Sequence, residues 1–140
     1  MSLAAAAPFA SLVILLVWMG FFMLGSLPLM VLKHDTPLDA RFIRGLFDVY
    51  YKAVMVTGAV ATLAHALAGR WITAAELAAV VLVAWASSRA ILSRMDMLRA
   101  TMTPSDAAGI RSFRRLHGLG MVLNVVQLVA ICASLPLVLR

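Results

Sequence analysis

FRRLHGLGMVLNVVQLVAICASLPLVLR, residues 113–140, carries the clearest structural signal in this sequence. A basic entry leads into an apolar run that is long enough to cross the roughly 30 Å hydrocarbon core of a bilayer. Three polar side chains, His117, Asn124 and Gln127, interrupt that run. His117 and Asn124 are two helical turns apart and share one helix face, and Gln127 lies close to the same stripe. The stretch therefore predicts a membrane helix that carries candidate chemistry on one side.

The composition extends this prediction to the whole chain. Of the 140 residues, 64% are hydrophobic and 13% are charged, whereas a soluble domain averages about 45–50% and about 25%. The apolar excess falls into four blocks of membrane-spanning length. We predict an all-α integral membrane protein with a single domain, residues 1–140, and four transmembrane helices, at about Phe9–Leu32, Phe47–Ala68, Ile72–Leu92 and His117–Leu139.

The net charge of +6 indicates orientation in a membrane. Nucleic acid is not an expected partner, because no stretch combines basic residues with exposed stacking aromatics. Ten of the 12 Lys and Arg residues flank the first and third loops, and only Arg70 and Arg140 lie at the other side. The excess of cations in cytoplasmic loops predicts an inner (plasma) membrane protein with both termini outside the cytoplasm.

Two similar helix starts divide the chain. Thr36-Pro37-Leu38-Asp39 combines an N-cap Thr, a Pro at the first helical position and an acidic first turn, which predicts a second helix from Pro37 to about Ala68. Thr103-Pro104-Ser105-Asp106 repeats this pattern and predicts a fourth helix from Pro104 to about Leu139.

An offset of 67 residues aligns the two halves without gaps. This predicts a four-transmembrane-helix bundle built of two tandem helical hairpins, a parallel internal repeat with halves of about 1–67 and 68–140. The alternative is convergence of two hairpins on the same capping chemistry. The informative identities are Trp18/Trp85, Thr36/Thr103, Pro37/Pro104, Asp39/Asp106 and Arg44/Arg111.

The polar residues of the spans define a candidate seam. His117 is either an interfacial histidine bonded to a neighbouring helix, or a ligand-facing donor, proton relay or metal ligand. Asn124 and Gln127 face the bundle, where they either bond other helices or line a polar pocket with His117. In the repeat, Tyr50 matches His117 and Thr57 matches Asn124, which extends the predicted polar seam to the second helix.

Three further predictions concern charged residues and histidines. Arg89 and Asp48 lie at the same level and are predicted to form an ion pair. His65 matches a position fifteen residues past His117, about 22 Å along a helix, so the two histidines cannot share an ion. His34 could approach His117, but the surrounding Lys33-His34-Asp35 favours a solvated loop. No metal site is predicted, since CxxC and MxxM clusters are missing.

Two resemblances bear on function. Phe113-Arg114-Arg115-Leu116-His117-Gly118 with Asn124, together with Gly25-Ser26-Leu27-Pro28, resembles small four-helix membrane proteins of unknown function near the anthrone-oxygenase-like and copper-resistance-D-like families. That resemblance supports the fold more than an activity.

The second resemblance is to the HemJ-type protoporphyrinogen oxidase, a four-helix haem protein. It rests on Trp18-Met19-Gly20-Phe21-Phe22 with Leu27-Pro28 and on residues 112–116. That family has a histidine where this chain has Ser11, and a lysine where this chain has Ala75-Glu76. The haem site is therefore not carried over: no cofactor is expected, and haem b is only what this resemblance would imply.

Three functions remain open. The first is an accessory subunit or hydrophobic-ligand-binding module, associated with membrane lipids and acting as a homo-oligomer or in a larger membrane complex. The second is a HemJ-like or anthrone-oxygenase-like oxidoreductase on a lipophilic substrate, with His117, Asn124 and Gln127 in its pocket. The third is a subunit of an oligomeric small-solute transporter. Whether the chain is an enzyme is not decided by its residues.

Overall fold

The computed structural model describes residues 3–31, 33–34 and 36–138, and in this part of the chain every regular element is helical. A π-helical segment joins α3 and α4 into one continuous helix that ends at Thr101. The elements are α1 (Leu3–Leu29), α2 (Pro37–Leu67), α3 (Trp71–Ser87), the π-helical segment (Ser88–Leu92), α4 (Ser93–Thr101) and α5 (Ala107–Val138).

Counting α3, the π-helical segment and α4 as one helix, the chain has four helices that are long and apolar enough to span a membrane. This confirms the prediction of a multi-pass helical membrane protein. Only 28–33% of each apolar window is buried inside the bundle, so most apolar side chains face outward, as a bilayer requires and water does not favour. The predicted span ends Leu32 and Leu139, together with Asp35 and Arg140, lie outside the described residues.

The helices pack in the cyclic order α1, α2, α3, α5. The α2 helix lies along both α1 and α3, and α5 packs against α1, α3 and α4. The α1–α2 and α4–α5 connections lie at one end of the bundle, which we call the basic end because most of the cations are there. Helices α2 and α5 face each other across the centre, where long side chains join them.

The second helix begins as predicted. Thr36 has an extended backbone, and its Oγ1 accepts a hydrogen bond from the Asp39 amide at 3.1 Å, so the first turn is capped. The helix ends in a Schellman motif: Gly69 has φ 73° and its amide donates to Ala66, while the Arg70 amide donates to the His65 carbonyl at 2.9 Å.

The last helix begins three residues later than predicted. Thr103 and Ser105 lie in a turn, and α5 starts at Ala107. Asp106 is the cap, because its Oδ1 accepts from the Gly109 amide at 2.9 Å and its carbonyl accepts from Ile110 at 3.0 Å. The second Thr-Pro-x-Asp motif therefore caps through its carboxylate and the first through its hydroxyl.

The π-helical segment was not predicted. Ser88 lies at its start, and the Ser88 hydroxyl donates to the Trp85 carbonyl at 2.7 Å. A π turn takes up more residues than an α turn, but the buried stripe continues through it, from Ala84 and Ser87 of α3 to Ile91 and Met95. The α4 helix that follows packs against both α2 and α5.

Candidate functional site

The centre of the bundle contains one hydrogen-bonded polar network across three helices. The Tyr50 hydroxyl donates to Asn124 Oδ1 at 2.8 Å, and Asn124 Nδ2 donates to the Met19 carbonyl at 3.3 Å. Tyr50 and Asn124 are 3% and 1% exposed, and the Tyr50 ring stacks on Phe22 with centroids 3.9 Å apart. Two residues of the predicted seam thus meet directly, and they join α2, α5 and α1.

A histidine pair closes the basic end of the bundle. His34 Nε2 and His117 Nδ1 are 3.0 Å apart, one nitrogen donating and the other accepting, and neither side chain is exposed. The prediction that His34 lies in a solvated loop is wrong. His34 has φ 61°, a left-handed backbone that costs an L-residue about 1–2 kcal/mol. Its buried ring and its bond to His117 hold that conformation.

Aromatic side chains enclose this pair. The Phe47 ring stands edge-on to His117 with centroids 5.5 Å apart, and Phe113 lies 6.3 Å from His34. His117 Nε2 is buried without a hydrogen-bond partner in the described part of the chain, as a ligand-facing nitrogen would be. The His117 ring is fully buried between His34 and Phe47.

The other predicted seam residues do not join the network. Gln127 is buried, but it makes no hydrogen bond to the residues that the structure describes. The Thr57 hydroxyl donates to the Ala53 carbonyl of its own helix at 2.7 Å. His65 is fully buried with Nδ1 2.9 Å from the Ala61 carbonyl. Among described residues, no three His, Cys, Asp or Glu side chains come together as a metal site would require.

The predicted Arg89–Asp48 ion pair is wrong. Asp48 pairs within α2, with Lys52 Nζ at 2.7 Å and with Arg44 at 3.5 Å, because residues four apart on a helix are already neighbours. The Arg89 guanidinium lies 5.8 Å from the centroid of the Trp85 ring, also on its own helix.

A different ion pair ties α2 to α4. Arg44 donates from Nε and Nη2 to both carboxylate oxygens of Asp96, with the shortest contacts at 3.0 Å, and Arg99 donates to the same carboxylate at 3.1 Å. A two-pronged guanidinium–carboxylate contact fixes orientation as well as distance. It holds the start of α4 against α2.

A groove between α4 and α5 lies on the outside of the bundle near the basic end. It has a volume of about 570 Å³, within the range of about 300–1,000 Å³ for small-molecule sites. Its walls are mostly apolar, with an arginine on each helix. The lining residues are Arg94, Met97, Leu98, Thr101, Ser112, Arg115, Leu116 and Leu119.

This groove was not predicted. Arg94 was interpreted only as a charge that orients the chain, and the apolar lining residues resemble any others in a membrane helix. No local sequence signal marks the two walls as facing each other, because the groove depends on how α4 packs against α5.

Comparisons of this chain with protein-family models, with curated proteins and with solved structures find no significant match.

Proposed function

We propose that this protein is a non-enzymatic, multi-pass inner-membrane module that binds a hydrophobic ligand taken from the bilayer. The observation that carries the proposal is the groove between α4 and α5. It combines sufficient volume with an apolar lining, and Met97 and Leu119, 61% and 49% exposed, lie at its outer edge. A ligand dissolved in the membrane would reach these residues without crossing the packed interior.

The packing of the central seam supports the same choice. Tyr50 and Asn124 bond each other and Met19, and aromatic rings surround His117. Such groups specify how the helices fit together, since interhelical hydrogen bonds stabilise membrane bundles. The seam then serves as the scaffold, and the groove as the binding surface.

An oxidoreductase is the second candidate, favoured by the unpartnered His117 Nε2 beside His34. An intramembrane ionisable residue is a natural candidate for function. The test is the absorption spectrum of the purified protein with analysis of bound small molecules, followed by His117→Ala. A Soret band lost in His117→Ala would favour this candidate over the groove.

Orientation and assembly belong to the same proposal. Because the basic end carries both loops rich in Lys and Arg, we place that end in the cytoplasm and both termini outside. The parallel repeat of two tandem hairpins stays a prediction. It rests on the repeated sequences at residues 36–39 and 103–106, although the two motifs cap their helices through different residues. The outward-facing apolar surface suits lipids, a second copy or a larger membrane complex.

The groove is tested with a photoactivatable phosphatidylcholine whose diazirine lies in an acyl chain. We expect crosslinked peptides from α4 and α5, and a severalfold loss of crosslinking in Leu119→Trp, which fills the groove. Val126→Trp is the matched control, because Val126 lies two turns further along α5, is 60% exposed and does not line the groove. Crosslinks spread evenly over all helices, or equal losses in both variants, would refute the proposal.

A further inference from the structure

Arg94 and Arg115 stand on opposite walls of the groove between α4 and α5. Both are exposed, and neither has a carboxylate within ion-pair distance in the part of the chain that the structure describes. The nearby acidic side chain on α4, Asp96, is already bonded by Arg44 and Arg99. The groove thus presents two cations whose charge no described protein group neutralises.

The groove also has a direction. Because α4 and α5 are joined by a short connection, Thr101 and Ser112 lie at the end of the groove nearer that connection, while Arg94 and Leu119 lie at the end nearer the apolar spans. Each wall spans eight residues, a rise of about 10 Å along the helix. Leu98, Leu116 and Leu119 form the apolar side that an acyl chain could contact.

We infer that the groove is selective for an anionic glycerophospholipid, with the phosphate between Arg94 and Arg115 and an acyl chain along the apolar wall; this inference rests on the proposed function of the groove. Guanidinium groups suit phosphate because their fixed donors match its oxygens. A zwitterionic lipid supplies the same apolar contacts, but its own ammonium group competes with the arginines. The charge of the headgroup therefore decides the preference.

The Arg44–Asp96 contact anchors the side of α4 that faces away from the groove. It ties Asp96 to α2, whereas Arg94 and Met97 line the groove and Asp96 does not.

The test measures displacement of the photoactivatable phosphatidylcholine from the intact chain in mild detergent. Unlabelled dioleoyl phosphatidylglycerol or dioleoyl phosphatidylcholine is the competitor. We expect phosphatidylglycerol to compete at a concentration roughly 25-fold lower, because each of two cations at a membrane surface contributes about fivefold. Arg94→Gln and Arg115→Gln should each reduce the preference by about fivefold.

Arg41→Gln is the control, since Arg41 is an exposed cation at the same end of the bundle, on α2 and outside the groove. If Arg41→Gln reduces the preference as much as Arg94→Gln, general surface charge explains it and the inference is overturned. Equal competition by both lipids, with crosslinks still in the groove, would overturn the inference and leave the proposed function standing. Loss of the groove crosslinks themselves would overturn both.

A second copy of the chain could cover the groove instead. In that case Leu119→Trp would abolish an oligomer peak in size-exclusion chromatography with light scattering, and the lipid inference would be overturned. The inference predicts that Leu119→Trp leaves the oligomeric state unchanged and lowers lipid binding alone.

Discussion

Adjacent tyrosines on α2 offer a direct test of the central network. The Tyr50 hydroxyl donates to Asn124 Oδ1 at 2.8 Å, so Tyr50→Phe keeps the ring and removes only that bond. Asn124 Oδ1 is then buried without its donor. Interhelical hydrogen bonds in membranes are worth about 0.6 kcal/mol on average and about 1.7 kcal/mol at most. Because Asn124 is 1% exposed, we expect a loss of about 1–1.5 kcal/mol in the free energy of unfolding.

Tyr51→Phe is the matched control and should have the opposite sign. Tyr51 is as buried as Tyr50, at 3% exposure, but its hydroxyl has no hydrogen-bond partner among the described residues. Removing an unsatisfied buried hydroxyl should stabilise the bundle by about 1 kcal/mol. The two variants should therefore differ by about 2 kcal/mol.

The assay is reversible unfolding in mixed micelles of mild detergent and dodecyl sulfate, followed by the far-ultraviolet circular dichroism of the helices. Both variants keep the aromatic packing, so a difference between them isolates the hydroxyl. A Tyr50→Phe variant as stable as the parent, or a Tyr51→Phe variant equally destabilised, would show that the Tyr50–Asn124 bond does not hold α2 to α5.

Two further substitutions test how α2 meets its neighbours. A Cβ on Gly120 would overlap the Phe47 ring, so Gly120→Ala should lower the free energy of unfolding by about 1–3 kcal/mol. Gly25→Ala is the control: nothing lies within 4 Å of its new methyl, so it should be neutral or stabilising by up to about 1 kcal/mol. Equal effects of the two variants in the same unfolding assay would contradict the close approach of Phe47 to α5. Arg44→Gln should lower the free energy of unfolding by less than about 1 kcal/mol, because the pair with Asp96 is partly exposed. Raising the salt concentration should reduce this difference between the variant and the parent. A difference that does not depend on salt would contradict an ionic contribution.

Sequence patterns predicted those parts of the fold that depend on local chemistry and on the membrane. The four spans follow from runs of apolar residues matched to the bilayer thickness, and the start of α2 follows from the capping preferences of Thr36 and Pro37. The same local argument misplaced the start of α5, because Thr103 and Asp106 are both capable caps. The backbone of the preceding turn decides between them.

Pairings between distant residues were predictable only in part. The expectation that polar groups face the bundle placed Asn124 inside, but the sequence does not show that Tyr50 reaches it from the helix opposite. His34 was missed for the same reason. Its sequence neighbours Lys33 and Asp35 indicated a loop in water, and only the folded chain brings His117 within 3.0 Å.

The prediction for Asp48 failed because it considered the level in the membrane and not the competition for the carboxylate. Arg44 and Lys52 are each four residues away on the same helix and reach Asp48 without ordering a second element. An ion pair between Arg89 and Asp48 would require the Arg89 side chain to become ordered across to α2. Instead, the Arg89 guanidinium lies over the Trp85 ring of its own helix.

The distribution of charge on α4 separates structure from binding. The helix carries Arg94, Asp96 and Arg99. Asp96 is shared by Arg99 and by Arg44 of α2, and this contact holds the helix in place at a small gain in stability. Arg94 has no carboxylate partner among the described residues, and it lines the apolar groove between α4 and α5. A Lys or Arg in a loop contributes to membrane orientation whatever its exact position. Because Arg94 also lines the groove with Arg115, it favours a negatively charged ligand there. We therefore expect Arg94→Gln to leave the proposed orientation of the chain unchanged, because the other basic-end cations remain, and to reduce the proposed selectivity for an anionic headgroup, which depends on Arg94 and Arg115 together.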